Sequence, residues 1–210
     1  MVYKVELDHF DGINVSEIEG KSKGELRKKY SSVAIKRLYR RLDRQGEQGF
    51  VAEIGTLSNC KHPNIAPLLG FCDEGRELIL VYEYVANGSL DNYLGNMDNV
   101  TNLVWAQRLQ ICLDIAHGLN YLHTHINGKP TLLENMVFVI SAMIVHRDIK
   151  SANILLDNTW VAKIADFGLS KLQCTNQQGT TLITNNVAGT KVYLDPEYEN
   201  TVGPNMDLDL

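Results

Sequence analysis

His146-Arg147-Asp148-Ile149-Lys150-Ser151-Ala152-Asn153, followed after a short apolar stretch by Asp166-Phe167-Gly168, is the part of this chain from which the rest can be read. Phosphoryl transfer asks little covalent chemistry of a protein: it needs a carboxylate on the acceptor hydroxyl, oxygen ligands for magnesium and cations on the phosphates. Asp148, Asn153, Asp166 and Lys150 supply those groups in a compact span. Either string alone also arises in unrelated proteins, and a Gly after Phe is often only a turn. Their order and their context are more specific. Between them, Ile154-Leu155-Leu156 and Val161-Ala162-Lys163-Ile164 read as two short strands around a turn at Asp157-Asn158.

Working outward, Val33-Ala34-Ile35-Lys36-Arg37-Leu38 reads as a strand. Most strand lysines only face solvent, but a V-A-I-K string ahead of residues 146–153 is in the order that phosphate binding requires. Residues 2–7 alternate apolar and polar as a half-buried strand does, and the polar residues 8–31 read as a long exposed connection. Phe50, Val51, Ile54 and Leu57 repeat at helical spacing over residues 48–59, which places Glu53 mid-helix and Glu47 before its start. Lys61-His62-Pro63-Asn64 closes that helix, with His62 as a structural loop residue. Two further strands are expected over 65–70 and 78–84, with a turn at Asp73-Glu74-Gly75. After Asn87-Gly88-Ser89 a short helix begins, and strands give way to helices near residue 86. Residues 105–123 form an amphipathic helix whose core face is read as Leu109, Cys112, Leu113, Ala116, Leu119, Tyr121 and Leu122.

Composition narrows the function further. The 210 residues suffice for one to two domains, and 20 basic against 25 acidic side chains leave no basic footprint for nucleic acid. Cys60, Cys72, Cys112 and Cys174 are scattered, which argues against a zinc site or disulfide framework and for thiols of a reducing compartment. The first residues do not read as a signal peptide, and the apolar run over 136–145, interrupted by Ser141, is too short to cross a bilayer.

Set side by side, these segments resemble a eukaryotic protein kinase domain. The strings Leu80-Val81-Tyr82-Glu83-Tyr84-Val85-Ala86-Asn87-Gly88-Ser89-Leu90, His146 through Asp157, and Gly189-Thr190-Lys191-Val192-Tyr193-Leu194-Asp195-Pro196-Glu197-Tyr198 are similar to those of plant receptor-like kinases, relatives of the Pelle-type kinases. The resemblance implies an α+β, two-lobed kinase-like fold, with 1–85 as a partial, β-rich N-lobe and 86–210 as a partial, helical C-lobe. It implies ATP and Mg2+ as cofactors and a serine/threonine kinase activity, since a lysine follows two residues after Asp148. By the same resemblance Lys36 holds the nucleotide phosphates, Glu53 positions Lys36, Asp148 orients the acceptor hydroxyl, Lys150 steadies the γ-phosphate, and Asn153 and Asp166 hold magnesium. Ala34 and Leu155 sandwich the adenine, Tyr82 stands behind it, and the backbone of Glu83 and Val85 meets its edge. Arg147 implies control by phosphorylation within residues 166–197, with Thr180, Thr181 and Thr184 as candidate acceptors, so the partners expected are a protein substrate, including the chain itself, and a receptor or kinase partner. The expected place is the cytoplasm, at the inner face of the plasma membrane where a longer form or a partner holds it.

Three departures stand against the family pattern. The strand and G-x-G-x-x-G loop that precede a Val-Tyr-Lys in the family are absent before Val2, and the chain stops soon after Asp195-Pro196-Glu197, so it reads as truncated at both ends. Residues 132–143 read as an insertion, for which a retained intron remnant and a real loop or short helix both remain open. On these grounds weak or absent activity is expected of this form, and the alternative is a non-catalytic kinase-like binding module or an incomplete gene product.

Overall fold

The computed structural model describes residues 2–10, 28–39, 45–58, 60–75, 77–94, 103–124, 131–133, 136–138, 142–174 and 187–201. Strands β1 (Val2–Phe10), β2 (Lys28–Tyr39), β3 (Leu68–Glu74) and β4 (Glu77–Glu83) form an antiparallel sheet in the order β1-β2-β4-β3, and helix α1 (Gln45–Leu57) lies against it. β-Branched Val33 and Ile35 suit the pleated, half-buried centre of that sheet, and the register sets Ala34 opposite Tyr82 and Lys36 opposite Leu80. Phe50 of α1 packs on Leu78 and Leu80, which are almost fully buried.

Several expectations need correction here. β1 and β2 run beyond residues 2–7 and 33–38 and pair as far as Phe10 opposite Lys28, so both ends of the expected 8–31 connection are strand. Polar sequence hid this, yet a ladder in register keeps satisfying backbone groups whatever the side chains. Helix α1 begins at Gln45, so Glu47 sits in its first turn rather than before it. Gly46 and Gly49 lower local helix propensity, and tertiary packing overrides them. The strand expected at 65–70 starts at Leu68, carries a bulge between Leu68 and Gly70, and leaves Ile65 in a lone parallel bridge to Ile164. Its turn to β4 passes through Gly75 at φ +60, a left-handed conformation suited to glycine.

The second half begins with a short 3-10 helix, Leu90–Tyr93, and then α2 (Trp105–Thr124). A hairpin of β5 (Thr131–Leu133) and β6 (Met136–Phe138) follows. β7 (Ala142–Val145) comes next, then β8 (Ile154–Leu156), β9 (Ala162–Ile164), β10 (Lys171–Cys174) and α3 (Pro196–Thr201). β8 and β9 form the hairpin expected around Asp157, whose Oδ1 accepts from the backbone N–H groups of Thr159 (2.8 Å) and Val161 (3.0 Å). Of residues 132–143, the described ones (132–133, 136–138 and 142–143) are strand, not the loop or short helix that was one of the two readings left open. Ala142 and Met143 belong to the β7 ladder with β10, and Met143 is buried.

The face that α2 buries is also corrected. Ile111, Asp114, Gly118 and Leu122 point inward, while Leu109, Cys112, Leu113 and Ala116 are exposed. Two features choose this face. Asp114 accepts the Ala162 N–H at 2.9 Å through Oδ2 and the Gln110 amide at 3.0 Å through Oδ1, so a buried carboxylate ties α2 to β9. Gly118 allows the approach, since a Cβ there would lie 2.8 Å from Ile164 Cδ1 and 2.9 Å from the Asn64 carbonyl oxygen. A backbone oxygen cannot rotate aside, so Gly118→Ala is expected to cost about 1–3 kcal/mol of stability. Urea unfolding measures this, and a wild-type midpoint in the variant would contradict the close packing.

The larger core gathers Leu57, Ile65, Ile111, Leu122, Ile154, Leu156, Ile164 and Phe167, and the half-buried Leu68 and Tyr82 touch both this cluster and the one under the sheet. Cys60 is buried, and burial pushes its thiol up to about 11; with Cys72 and Cys112 it is free. No described helix is long and apolar enough to cross a membrane.

Candidate functional site

Lys36 leaves β2 toward α1, and its Nζ lies 2.9 Å from Glu53 Oε2 and 2.6 Å from Asp166 Oδ1. Burial disfavours the charged amine, but the two carboxylates outweigh it and hold the Lys36 pKa above the ordinary lysine value. Glu53 is 1% exposed, and its other oxygen accepts the Phe167 N–H at 3.2 Å. Both oxygens of a buried carboxylate are thus engaged, which such a group requires. Glu47 is exposed, so Glu53 is the helix carboxylate that meets Lys36. The Tyr82 hydroxyl comes near enough to Glu53 to feel its charge but not in hydrogen-bonding geometry. Burial first, and the carboxylates after it, hold the phenol proton firmly.

A second cluster surrounds Asp148. Lys150 Nζ lies 2.8 Å from Asp148 Oδ2, and Asn153 Nδ2 donates to the Asp148 carbonyl at 2.9 Å and to Oδ2 at 3.1 Å. The Thr190 hydroxyl donates to Asp148 Oδ1 at 2.7 Å while accepting from Lys150 Nζ at 2.7 Å. Burial pushes the Asp148 carboxyl up, but the bonds from Lys150, Thr190 and Asn153 prevail and keep it below the usual value. Thr190 was not singled out as a site residue in the sequence. It comes into reach because Gly189, at φ +132, passes so close to the loop that a Cβ would fall 2.6 Å from the Arg147 carbonyl oxygen. A glycine just before a hydroxyl residue was the available signal.

Arg147 and Asp166 both adopt left-handed backbone, at φ 66 and 64, a strain that clusters at functional sites. The Arg147 Nε donates to the Leu169 carbonyl at 2.6 Å. Thr180, Thr181 and Thr184 lie outside the described residues. Leu155 is half-buried between the buried Ile154 and Leu156, so it faces away from the larger core; Ala34 is likewise half-buried. The Glu83 N–H donates to the Pro67 carbonyl at 3.3 Å, and Val85 is buried. His62 stacks on Tyr121, the structural role expected of it.

His146 stands behind Asp148 and Asp166. Its ring packs edge-on to Phe167 at 4.7 Å, its Nδ1 accepts the Asp148 N–H at 3.2 Å, and its Nε2 faces the Ala165 carbonyl at 3.1 Å. These partners require a neutral ring with the proton on Nε2. Burial is the main reason its pKa falls below the ordinary value, against the pull of the Ala165 carbonyl and the nearby carboxylates. The folded state therefore resists a proton that the unfolded chain accepts from about pH 6.5 downward, and stability falls as pH drops through that range. His146→Phe is expected to flatten the slope of unfolding free energy between about pH 6.5 and 5.5, measured in urea. An unaltered slope would mean that His146 does not carry the effect.

An antiparallel sheet backed by α1, a second half built on α2 and short strands, and two charged clusters centred on Lys36 and Asp148 define a class. The family model for the protein kinase domain matches residues 22–208, and the chain belongs to that family. Among curated proteins it is similar to the receptor-like protein kinase FERONIA of Arabidopsis thaliana, 41% identical over 198 residues, covering 93% of this chain and 20% of that protein. THESEUS 1 of the same plant is 45% identical over 168 residues, covering 80% and 18%. A probable LRR receptor-like serine/threonine-protein kinase is 43% identical over 157 residues, covering 75% and 16%. The chain spans about a fifth of the length of the curated relatives it matches. The resemblance to plant receptor-like kinases read from the motifs is thereby borne out.

Proposed function

We propose that this chain is an ATP-dependent phosphotransferase acting on serine and threonine hydroxyls of proteins. The observation that carries this reading is the meeting of Lys36, Glu53 and Asp166 at one amine, from positions 17 and 130 residues apart in sequence. In the proposed mechanism Glu53 fixes the Lys36 ammonium, which binds the α- and β-phosphates. Ala34 and Leu155 close on the two faces of the adenine, Tyr82 bounds its back, and the backbone of Glu83 and Val85 bonds its edge. Asp148, held ionised, accepts a hydrogen bond from the acceptor hydroxyl and orients its oxygen. Lys150 places a cation at the γ-phosphate.

Asp166 and Asn153 are the proposed metal ligands. Asn153 donates through its amide nitrogen to Asp148, which leaves its carbonyl oxygen for a cation. A carboxylate and an amide oxygen, with no cluster of three His, Cys, Asp or Glu among the described residues, suit Mg2+, which takes few protein ligands beside phosphate and water. Bound there, Mg2+ would neutralise charge on the phosphates. Residues 1–85 and 86–210 are the proposed lobes that close on the nucleotide. The proposed substrates include the chain itself at Thr180, Thr181 and Thr184, and a phosphate there would control activity by pairing with the Arg147 guanidinium. The proposed place of action is the cytoplasm, at the plasma membrane through a longer form or a receptor or kinase partner.

Radiolabelled ATP, with the chain alone or with a generic protein acceptor, tests the reading. Weak, magnesium-dependent label on serine or threonine is expected, falling below detection with Asp148→Asn. Equal labelling in both, or none in either, would replace this reading with that of a non-catalytic binding module.

A further inference from the structure

Helix α1 meets the segment after Asp166 along a single stripe. Gly49, Glu53 and Thr56 follow one another at helical spacing, four and three residues apart, and so share a face. Each touches a different part of the 167–170 turn. A Cβ on Gly49 would lie 3.3 Å from the Gly168 carbonyl oxygen, Glu53 accepts the Phe167 N–H at 3.2 Å, and the Thr56 and Ser170 hydroxyls are 2.8 Å apart. Thr56 and Ser170 are 9% and 8% exposed, so each hydroxyl has the other in place of bulk water. The turn is closed on itself, since the Ser170 N–H donates to the Phe167 carbonyl at 2.9 Å. A hold on Ser170 is therefore a hold on Phe167.

We infer that Thr56 and Ser170 are positioning residues, a buried hydroxyl pair that holds α1 against the 167–170 turn and so keeps Glu53 on both Lys36 and the Phe167 amide. Neither reaches the reacting atoms. The pair acts at the far end of the stripe from Gly49, with Glu53 between, so losing it lets the C-terminal turn of α1 move away from the 167–170 turn. The effect on turnover rests on the phosphotransferase reading; the effect on the Phe167 amide does not.

The test uses the full chain and the double variant Thr56→Val/Ser170→Ala, which removes both hydroxyls and leaves neither stranded, with Thr56→Ser as the conservative control. Hydrogen exchange is followed at the Phe167 amide, with the Ile111 and Leu122 amides of α2 as references. Loss of one net hydrogen bond predicts exchange about five- to tenfold faster at Phe167, with the α2 amides unchanged and Thr56→Ser behaving as the parent. Phosphate transfer should fall by a similar factor in kcat, with KM for the acceptor protein unaltered. Unchanged exchange at Phe167, or equal acceleration at Phe167 and in α2, would overturn the inference. If the parent chain transfers no phosphate, the phosphotransferase reading fails and the exchange rates alone decide the role of the pair.

Discussion

Asp148→Asn is expected to lower phosphate transfer by about 10²- to 10⁴-fold, the range associated with a positioned acid–base group, while the fold survives. The amide has nearly the shape of the carboxylate and its oxygen can still accept from Thr190, while its NH2 takes the place of the oxygen that accepted from Lys150 and Asn153; the Asp148 backbone carbonyl that receives Asn153 is untouched. What disappears is the negative charge opposite Lys150 and the capacity to orient an acceptor hydroxyl. Lys150 keeps its bond to Thr190 and is 22% exposed, but Asp148 is 9% exposed and loses its Asn153 bond with the pair, so the change should cost about 1–3 kcal/mol of stability. Single-turnover labelling and urea unfolding on the same preparation separate the two effects. Turnover within threefold of the parent would remove Asp148 from its proposed role.

Lys36→Met is expected to destabilise the fold by about 3–5 kcal/mol, because it strands a buried carboxylate. Two carboxylates share the Lys36 amine, but they do not matter equally. Asp166 is 47% exposed and can turn to water, whereas Glu53 is 1% exposed and cannot. The double variant Lys36→Met/Glu53→Gln should regain most of the loss, since a neutral amide can still accept the Phe167 N–H. Because the Lys36 pKa is raised, its contribution is complete below about pH 10.4 and is lost only as pH rises through the higher folded value. Urea unfolding of the parent and the two variants at neutral pH checks the ordering. A double variant no more stable than Lys36→Met alone would show that the Glu53 charge is not the source of the cost.

Much of the candidate site was legible in the sequence because its groups lie in short runs. Asp148, Lys150 and Asn153 share one loop, Asp166 follows a two-stranded hairpin, and Lys36 sits at a fixed place in a β-branched run. Short motifs pick out such residues, and the resemblance to the kinase family implies their roles. Glu53 was also legible, since helical periodicity placed it mid-helix, although the true start of α1 at Gln45 was hidden by two glycines. Thr190 was not legible as part of the site. It lies 42 residues from Asp148, and its arrival depends on the backbone path at Gly189, of which the Gly-Thr pair was the one sequence signal.

The same division runs through the fold. The sequence by itself determined that a helix runs over 105–123, one residue short of the observed end of α2 at Thr124, and that its apolar positions recur at helical spacing. It did not determine which of those positions face inward, because Leu109, Leu113, Ile111 and Leu122 are equally apolar and hydropathy cannot rank them. The tertiary structure decided it through two contacts made across the chain: the Asp114 carboxylate on the Ala162 amide, and the space at Gly118 that admits Ile164 and the Asn64 carbonyl. Likewise Ala142 and Met143, read as part of an insertion, became strand because Gln173 and Cys174 lay opposite them. Hydrogen bonds and close contacts between distant segments depend on where the whole backbone runs, and local composition carries no record of that.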